Sequence, residues 1–432
     1  MTEMKKYIIN IMLMAAVALG FASCEDYPDA FVLADGKPTV HYVRYADQDV
    51  LIDQAYMGEV VCFVGENLCS VRELLFNDQK AVLNTSFMTE NTLIAAVPGN
   101  LPKVKTDRVY MITKGQDTVT VDFKVMLPAP QLKSMSCEYQ PQGTDVTIYG
   151  NYFTEPMTVV FENGNGAEVT SFKSVSMTEA VFTIPADAKP GKIKLTTESG
   201  VALSPFMYLD NRGLITDFDG GTDVVPQGWN FSGTYSSEGG ISGNYVELKS
   251  ASAMTADGGW NEDFKIDFWC GNWNGDPMGI TSGPGVPICN IIDFTNFQNM
   301  ALKFELYIPS SNPWMAGAMQ LIFCSAERAA NDSWQNNSFL HTSATDGGLD
   351  LCRGLYRPWE TTGSFDTGDK WITVTVPFSE FTYNADGTAG AVPLEKPEDF
   401  ATFVIWPWSG GLMGTECTPI FRIDNLRAVP AK

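Results

Sequence analysis

The sequence predicts an all-β protein with two small β-sandwiches in tandem, followed by a larger jelly-roll β-sandwich. Two observations support this fold class. Short segments rich in β-branched and aromatic residues, separated by Gly, Asn and Pro turns, occur twice at the same spacing between residues 39 and 210. After Asn211, segments with period-two alternation continue to the C-terminus, and helical periodicity is convincing nowhere in the chain.

The composition supports a folded protein with several domains. A chain of 432 residues is too long for one ordinary hydrophobic core, so several domains are expected. A composition of 44% hydrophobic and 18% charged residues is typical of folded chains. The formal net charge of −23, without a stripe of Lys and Arg, argues against nucleic acid as a partner. The two histidines, His41 and His341, are too few for a His-based catalytic dyad or a His-rich metal site.

The N-terminus carries an export pattern. Two lysines precede an apolar stretch at 8–20, which is too short to span a bilayer and ends in small residues before Cys24. This pattern resembles a bacterial lipoprotein signal, which implies cleavage after residue 23 and acylation of Cys24. Glu25 and Asp26 resemble the export signal of surface lipoproteins in Gram-negative bacteria that harvest polysaccharides. We expect a lipid-anchored protein at the cell surface of the outer membrane; an ordinary secretory signal is the alternative.

The cysteines leave two alternatives open. An even number in an exported protein permits disulfides, whereas buried free thiols suit large domains equally well. No CxxC pair and no zinc-like spacing occurs. The residues concerned are Cys62, Cys69, Cys137, Cys270, Cys289, Cys324, Cys352 and Cys417.

Two copies of one module precede residue 211. Gly65 corresponds to Gly150 and Phe76 to Phe161, with the same separation in both pairs. In each copy an apolar strand leads into the glycine and a second strand ends at the phenylalanine. The pattern resembles the TIG/IPT family, in which a strand leading into GxxF is followed by V.F, although Leu68 replaces the phenylalanine in the first copy. The resemblance implies immunoglobulin-like sandwiches, which we interpret as stiff spacers.

The chain beyond residue 211 differs in composition. All ten tryptophans lie between Trp229 and Trp408, and the loops are rich in glycine. Alternation predicts strands at 301–308, 320–324, 371–376, 403–406 and 420–426. Roughly 220 residues of such strands suit one jelly-roll sandwich.

Three segments of this region, at 214–220, 371–379 and 421–427, resemble jelly-roll carbohydrate-binding modules, in which the first and last strands pair. Together with the preceding modules, the order of parts is similar to the surface glycan-binding proteins. The resemblance implies that the C-terminal domain binds a polysaccharide, often a β-glucan such as xyloglucan, beside an outer-membrane importer and without catalysis. The predicted division is 1–23 signal peptide, 24–38 linker, 39–127 and 128–211 Ig-like TIG/IPT domains, and 212–432 carbohydrate-binding β-sandwich.

Tryptophans in polar loops are the candidate sugar contacts. An indole matches the apolar face of a pyranose, and Asn, Arg and Tyr match its hydroxyls. The predicted glycan-binding residues are Trp273, Trp314, Trp334, Asn337, Arg353, Tyr356, Trp359 and Trp406. Packing of each loop aromatic on its own sandwich is the alternative, and it is the favoured interpretation for Trp229, Trp269 and Trp371. Trp408 shares one side of its strand with Trp406.

A calcium site is a further hypothesis. Asp217, Asp219 and Asp223 begin like a helix-loop-helix calcium loop, but Gly228 stands where the bidentate Glu belongs, so that motif fails. The resemblance to jelly-roll modules implies a structural calcium ion near the first and last strands, with Asp219 and Asp424 as contributors. Ordinary turn carboxylates are the alternative. No other cofactor is expected.

Three other functions compete with glycan binding. A glycoside hydrolase or lyase needs two carboxylates in a cleft, and 51 acidic residues always leave such a pair conceivable. The sequence has no GxSxG, HExxH or phosphate-binding loop, so we expect no enzyme. An adhesin that binds a protein would use residues 39–210 and would leave the Trp-rich domain unexplained. A peptide-binding groove in that domain is the third alternative.

Overall fold

The computed structural model describes residues 36–163, 167–222, 224, 226, 231–268, 270, 285–326, 342–343, 349–390 and 392–431. The described elements with both ends defined are β-strands and short 3-10 helices, which confirms the predicted all-β class. The chain divides into two compact units, 1–128 and 129–432. Within the described residues, no helix has the length and apolar character needed to cross a bilayer.

The first unit is a small sandwich. Its strands are β1 (Thr39–Tyr45), β2 (Gln54–Tyr56), β3 (Val60–Glu66), β4 (Val71–Phe76), β5 (Gln79–Lys80), β6 (Thr92–Ala96), β7 (Arg108–Thr113), β8 (Thr118–Asp122) and β9 (Lys124–Met126). A three-stranded sheet, β1-β3-β6, and a four-stranded sheet, β5-β4-β7-β8, form the layers, and β2 pairs in parallel with β9. The aromatic rings of Phe63, Phe76 and Phe123 meet in the buried core between them.

The second unit begins with a similar sandwich. Its strands are β10 (Gln131–Met135), β11 (Asp145–Asn151), β12 (Met157–Phe161), β13 (Glu168–Val169), β14 (Ser174–Val175), β15 (Glu179–Thr183), β16 (Gly191–Thr197) and β17 (Gly200–Tyr208). They form the sheets β10-β11-β15-β14 and β13-β12-β16-β17. Phe161 packs edge-on against Phe182 and Tyr208 in the core.

The two repeated glycines have the same structural reason. A Cβ atom on Gly65 would lie 1.8 Å from the carbonyl oxygen of Thr39, and one on Gly150 would lie 1.8 Å from that of Gln131. In both sandwiches the preceding strand therefore approaches too closely for any side chain. The bulge in each of these strand pairs brings the backbones together at this point.

The remainder of the second unit is the larger sandwich. Its strands are β18 (Leu214–Thr216), β19 (Thr234–Ser236), β20 (Tyr245–Leu248), β21 (Ile266–Phe268), β22 (Met300–Tyr307), β23 (Ala318–Cys324), β24 (Thr342–Ser343), β25 (Leu349–Asp350), β26 (Gly354–Tyr356), β27 (Ile372–Pro377), β28 (Thr402–Trp408) and β29 (Phe421–Pro430). A six-stranded sheet, β19-β20-β29-β22-β27 with β18 on β29, faces a four-stranded sheet, β21-β28-β23-β26, across one core. The first and last strands pair, as the jelly-roll resemblance implies.

Short 3-10 helices and free thiols complete the description. The helices are Leu68–Ser70, Thr85–Phe87, Glu262–Phe264, Ile288–Asn290, Phe297–Asn299, Pro358–Glu360, Phe378–Glu380 and Pro397–Phe400. None of the eight cysteines that follow Cys24 forms a disulfide with another, and all but Cys289 are buried. Of the two alternatives left open by the sequence, the structure therefore has thiols and not disulfides.

A buried ionic cluster joins the two sandwiches of the second unit. Glu138, from the turn after β10, accepts hydrogen bonds from Lys303 at 2.6 Å and from Arg427 at 2.9 Å. Arg427 also binds both carboxylate oxygens of Glu305, at 2.7 and 3.1 Å. These four residues are at most 4% exposed. The hydroxyl of Thr373 donates to Glu305 and accepts a hydrogen bond from the backbone N–H of Glu138. The small sandwich is thus seated on the six-stranded sheet through paired charges rather than through a flexible joint.

Candidate functional site

Strand β28 places two tryptophans on one face of the four-stranded sheet. Because side chains alternate along a strand, Trp406 and Trp408 lie on the face opposite Phe403 and Ile405. The register sets Gln320 of β23 directly beside Trp406 on that face. The sequence-based expectation that the two tryptophans share a side of their strand is therefore met.

A third tryptophan completes an aromatic cluster, which we call the aromatic platform and define as Trp260, Trp406 and Trp408. The ring centroid of Trp260 lies 4.1 Å from that of Trp406 and 5.2 Å from that of Trp408. Trp406 is fully buried, Trp408 is half-buried and Trp260 is 41% exposed. The platform therefore offers an indole face to solvent above a buried aromatic base.

The local chain explains why Trp260 sits there. The amide side chain of Asn261 accepts a hydrogen bond from the backbone of Asp263 and caps the short helix Glu262–Phe264. The backbone oxygen of Asn261 accepts the indole N–H of Trp406 at 2.8 Å. The loop before Trp260 is held against β28, since Ser409 donates its backbone N–H to Gly258 at 2.6 Å.

Charged groups surround the platform. Oε1 of Glu262 accepts the indole N–H of Trp260 at 2.8 Å, and its other oxygen pairs with Nζ of Lys265 at 2.8 Å. The ammonium group of Lys265 lies 4.5 Å from the ring centroid of Trp406, a cation–π contact. The indole faces and these polar groups together match the two kinds of surface that a sugar presents.

Buried polar side chains lie on the same sheet face as Trp406. Arg353 is fully buried and donates to the side chain of Gln320 at 3.1 Å. Asp267 of β21 is 1% exposed, and no described residue makes a hydrogen bond with its Oδ1. Burial raises the pKa of Asp267 to about 7, opposed by the charge of Lys265. A buried polar group contributes to stability only when it is hydrogen-bonded. The burial of Asp267 therefore lowers the free energy of unfolding of the large sandwich.

Several predicted sugar contacts are core residues in the structure. Trp314 is fully buried, donates its indole N–H to the backbone of Ala316, and packs edge-on against Phe421. Trp359 is 4% exposed and donates to the backbone of Gly317. A covered indole has no free face, so the prediction that these two tryptophans stack on sugar does not fit this geometry. The packing alternative applies to both.

Of the other predicted residues, some are described by the structure and some lie outside the described ranges. Arg353 is buried beneath the platform side of the sheet, and half-buried Tyr356 lies 6.0 Å from Trp314, with burial raising its pKa. Trp406 forms the base of the platform, so it supports the exposed ring and offers no face of its own. Trp371, expected to be structural, is 9% exposed and donates its indole N–H to Gly239. Trp273, Trp334, Asn337 and Cys24, together with Trp229 and Trp269, lie outside the described residues.

Sequence reasoning missed Trp260. It follows Asp257-Gly258-Gly259, the same type of polar, glycine-rich loop that marked the selected tryptophans, so the signal was present. What the sequence lacks is the pairing of that loop with Ser409 beside β28, which brings Trp260 next to Trp406 and Trp408.

The two carboxylates of the calcium hypothesis lie beside one turn. Asp219 is exposed and accepts hydrogen bonds from the backbone and side chain of Asn244, whereas buried Asp424 accepts from Ser242. Burial raises the pKa of Asp424 to about 8. Within the described part of the chain, no group of three or more His, Cys, Asp or Glu side chains is placed to hold a metal ion. The calcium ion stays a prediction.

Comparison with known proteins agrees with the architecture. Two small sandwiches before a larger, Trp-rich sandwich make this a modular all-β protein. Residues 208–430 match the family model described as surface glycan-binding protein B xyloglucan binding domain. The chain therefore belongs to the surface glycan-binding protein B family, which confirms the resemblance seen in the sequence.

Individual relatives extend the match. A crystal structure of a surface glycan-binding protein B from Prevotella bryantii is 36% identical, with a TM-score of 0.71, and the match covers 93% of this chain and 100% of that one. An IPT/TIG domain-containing protein of Bacteroides ovatus is 25% identical over 167 residues, which is 36% of this chain. The chain covers 32% of that relative's length.

Proposed function

We propose that this protein is a lipid-anchored cell-surface protein that binds a β-linked glucan, xyloglucan in the first place, and releases no sugar from it. The observation that carries the proposal is the aromatic platform, an exposed indole supported by two others, on the domain that matches the xyloglucan-binding family model. The bound polymer is then passed to an outer-membrane importer of the same uptake system.

The platform suits a neutral β-glucan for a physical reason. Equatorial substituents leave the two faces of a β-linked glucose unit as flat arrays of C–H groups, which cover an indole well. Covering about 100 Å² of indole contributes on the order of 2.5 kcal/mol before the cost of ordering. Several such contacts give micromolar-to-millimolar affinity, which avidity on a polymer raises further. The net charge of −23 is no obstacle to a neutral polymer.

The binding experiment uses the whole mature chain, residues 24–432, and titrates it with xyloglucan oligosaccharides by calorimetry. Trp260→Ala should weaken binding about tenfold or more, because it removes the exposed stacking face. Trp408→Ala should weaken it less, because Trp408 is half-buried at the edge of the platform. Tyr235→Ala is the matched control, since Tyr235 is 52% exposed but lies on the six-stranded sheet.

The same chain should be retarded in native gels that contain xyloglucan, with no reducing ends released after long incubation. Binding of both tryptophan variants at the strength of the parent would refute the platform as the site. Retardation by none of xyloglucan, mixed-linkage glucan, laminarin, mannan, xylan or starch would favour the adhesin alternative. Release of reducing ends would favour a glycoside hydrolase or lyase.

The lipid anchor has a separate test. Cys24→Ser removes the thiol that would be acylated, so the protein should move from the membrane fraction to the soluble periplasmic fraction. Protease added to intact cells should cleave the parent protein if it faces outward. Retention of the Cys24→Ser protein in the membrane fraction would contradict acylation at this residue.

A further inference from the structure

The exposed ring of the platform is tied to the protein by its only polar atom. Nε1 of Trp260 donates to Oε1 of Glu262 at 2.8 Å, and Oε2 of Glu262 accepts from Lys265 at 2.8 Å. Lys265 lies against the ring of Trp406, whose own N–H is bound by the backbone of Asn261. These contacts form a continuous network from Trp260 through Glu262, Lys265 and Trp406 to Asn261, the residue that follows Trp260.

We propose that Glu262 is a positioning residue for glycan binding, which holds the Trp260 indole in the orientation that a sugar face needs before the sugar arrives. This inference rests on the proposed function. Trp260 is 41% exposed, its ring contacts Trp406 and Trp408, and Glu262 binds its indole N–H. Ordering an exposed side chain costs free energy when a ligand binds, and the hydrogen bond to Glu262 lowers that cost because it orients the ring in the unbound protein.

The arrangement also separates binding from stability. The side chain of Glu262 is 60% exposed, and exposed ion pairs contribute little to the stability of a fold. Removal of Glu262 should therefore change affinity without unfolding the domain. A residue that served only to hold the fold together would show the reverse.

The indole N–H also bears on recognition. Because Glu262 occupies the N–H of Trp260, this ring interacts through its face, and hydrogen bonds to the sugar come from neighbouring groups. The negative charge of Glu262 repels a carboxylate on a uronic acid, so a neutral polymer is the better ligand.

The test compares two substitutions in the mature chain. Glu262→Leu removes the acceptor and should weaken binding of a xyloglucan oligosaccharide by about three- to tenfold. Glu262→Gln keeps an oxygen that accepts the indole N–H and should bind within about twofold of the parent. Glu360→Leu is the matched control, because Glu360 and Arg357 form a similar pair at the same i,i+3 spacing, 2.9 Å apart.

A spectroscopic readout and a double mutant separate positioning from a general structural effect. The indole N–H signal of Trp260 in a nitrogen–proton spectrum should broaden or shift in Glu262→Leu and stay in place in Glu262→Gln. In a Trp260→Ala background, Glu262→Leu should cause no further loss of affinity, since no ring remains to be positioned. A full additional loss in that background would overturn the proposal.

Failure of this inference is distinguishable from failure of the proposed function. If Trp260→Ala weakens binding but Glu262→Leu binds like the parent, the platform stands and Glu262 does not position it. If Trp260→Ala itself binds like the parent, the platform is not the site.

Discussion

Glu138 and Arg427, 289 residues apart in the sequence, meet through a hydrogen bond of 2.9 Å inside the protein. Glu138 belongs to the small sandwich and Arg427 to the last strand of the large one. Burial lowers the pKa of Arg427, but the negative charges of Glu305 and Glu138 raise it by more than burial lowers it. The net shift of this pKa is upward, so the guanidinium stays charged. The pair is therefore a permanent ionic contact between two sandwiches that the sequence presents as separate modules.

Loss of Arg427 should destabilise the second unit strongly. Arg427→Met leaves Glu305 buried without its ionic partner and takes one of two ionic partners from Glu138, and breaking a buried pair costs about 3–5 kcal/mol in comparable cases. Urea unfolding followed by tryptophan fluorescence reports this unit, because all ten tryptophans lie between residues 229 and 408 of the sequence. Lys173→Met is the control, since its ion pair with Asp145 lies in the same unit, is exposed and is worth at most about 1 kcal/mol. Equal effects of both substitutions would contradict the role given to the cluster.

The large sandwich should depend on the small one for its stability. Residues 212–432 alone would expose Lys303, Glu305 and Arg427 together with Tyr245 and Trp371, which pack against Cys137 and Tyr139. Residues 129–432 should unfold in one cooperative transition, whereas residues 212–432 should unfold at a lower urea concentration or aggregate. Sedimentation and urea unfolding of the two fragments measure this. Equal midpoints would show that the division at residue 211 separates independent domains.

The repeated glycines give a prediction that both small sandwiches share. Gly65→Ala and Gly150→Ala should each cost about 1–3 kcal/mol, because the new methyl group overlaps a carbonyl oxygen of the neighbouring strand. Gly99→Ala is the control, since a Cβ there meets nothing within 4 Å. Thermal unfolding should show the loss in the first unit for Gly65→Ala and in the second for Gly150→Ala. An unchanged midpoint for both would mean that the bulges relax freely.

The buried carboxyl of Asp267 predicts a pH dependence of stability. Its pKa is raised to about 7 by burial, so the native state binds the proton more tightly than the unfolded state does. The free energy of unfolding therefore falls as the pH rises from about 4 to 7, because the native state holds a proton that the unfolded state has released. Above about pH 7 this contribution no longer changes. Asp267→Asn removes this loss, and its stability relative to the parent should rise by about 2 kcal/mol between pH 5.5 and pH 8.

The control for that measurement is Asp293→Asn. Asp293 is exposed, and a hydrogen bond from the backbone of Thr295 lowers its pKa, so it is ionised throughout this range. Urea unfolding of both variants at pH 5.5 and pH 8 gives the comparison. A relative stability of Asp267→Asn that does not change with pH would show that the carboxyl is ionised at both values.

The sequence predicted the parts of the fold that depend on local patterns. Gly65 with Gly150, and Phe76 with Phe161, identified the repeat because close strands require glycine and cores require large apolar side chains. Alternation located β22, β23, β27 and β28 to within two residues, because side chains alternate along every strand, and it located the start of β29, which runs four residues beyond the predicted end. The division into three domains at residues 127 and 211 stays a prediction.

The candidate site was harder to predict than the fold. Trp314 and Trp260 both lie in polar loops, but Trp314 is fully buried beside Phe421 and Tyr356, whereas Trp260 is 41% exposed. The burial of a loop tryptophan depends on contacts between segments far apart in the chain. A local sequence pattern does not predict such contacts. The same reason hid Glu138, whose ionic partners Lys303 and Arg427 both lie more than a hundred residues further on.

The buried ionic cluster has a mechanical consequence. A load on the large sandwich has two routes to the small sandwich that precedes it, the backbone near residue 211 and the buried ionic cluster. Rotation of the large sandwich about that backbone segment would separate Glu138 from Lys303 and Arg427. The cluster therefore resists rotation between the two sandwiches and keeps the six-stranded sheet at a set orientation relative to the small sandwich.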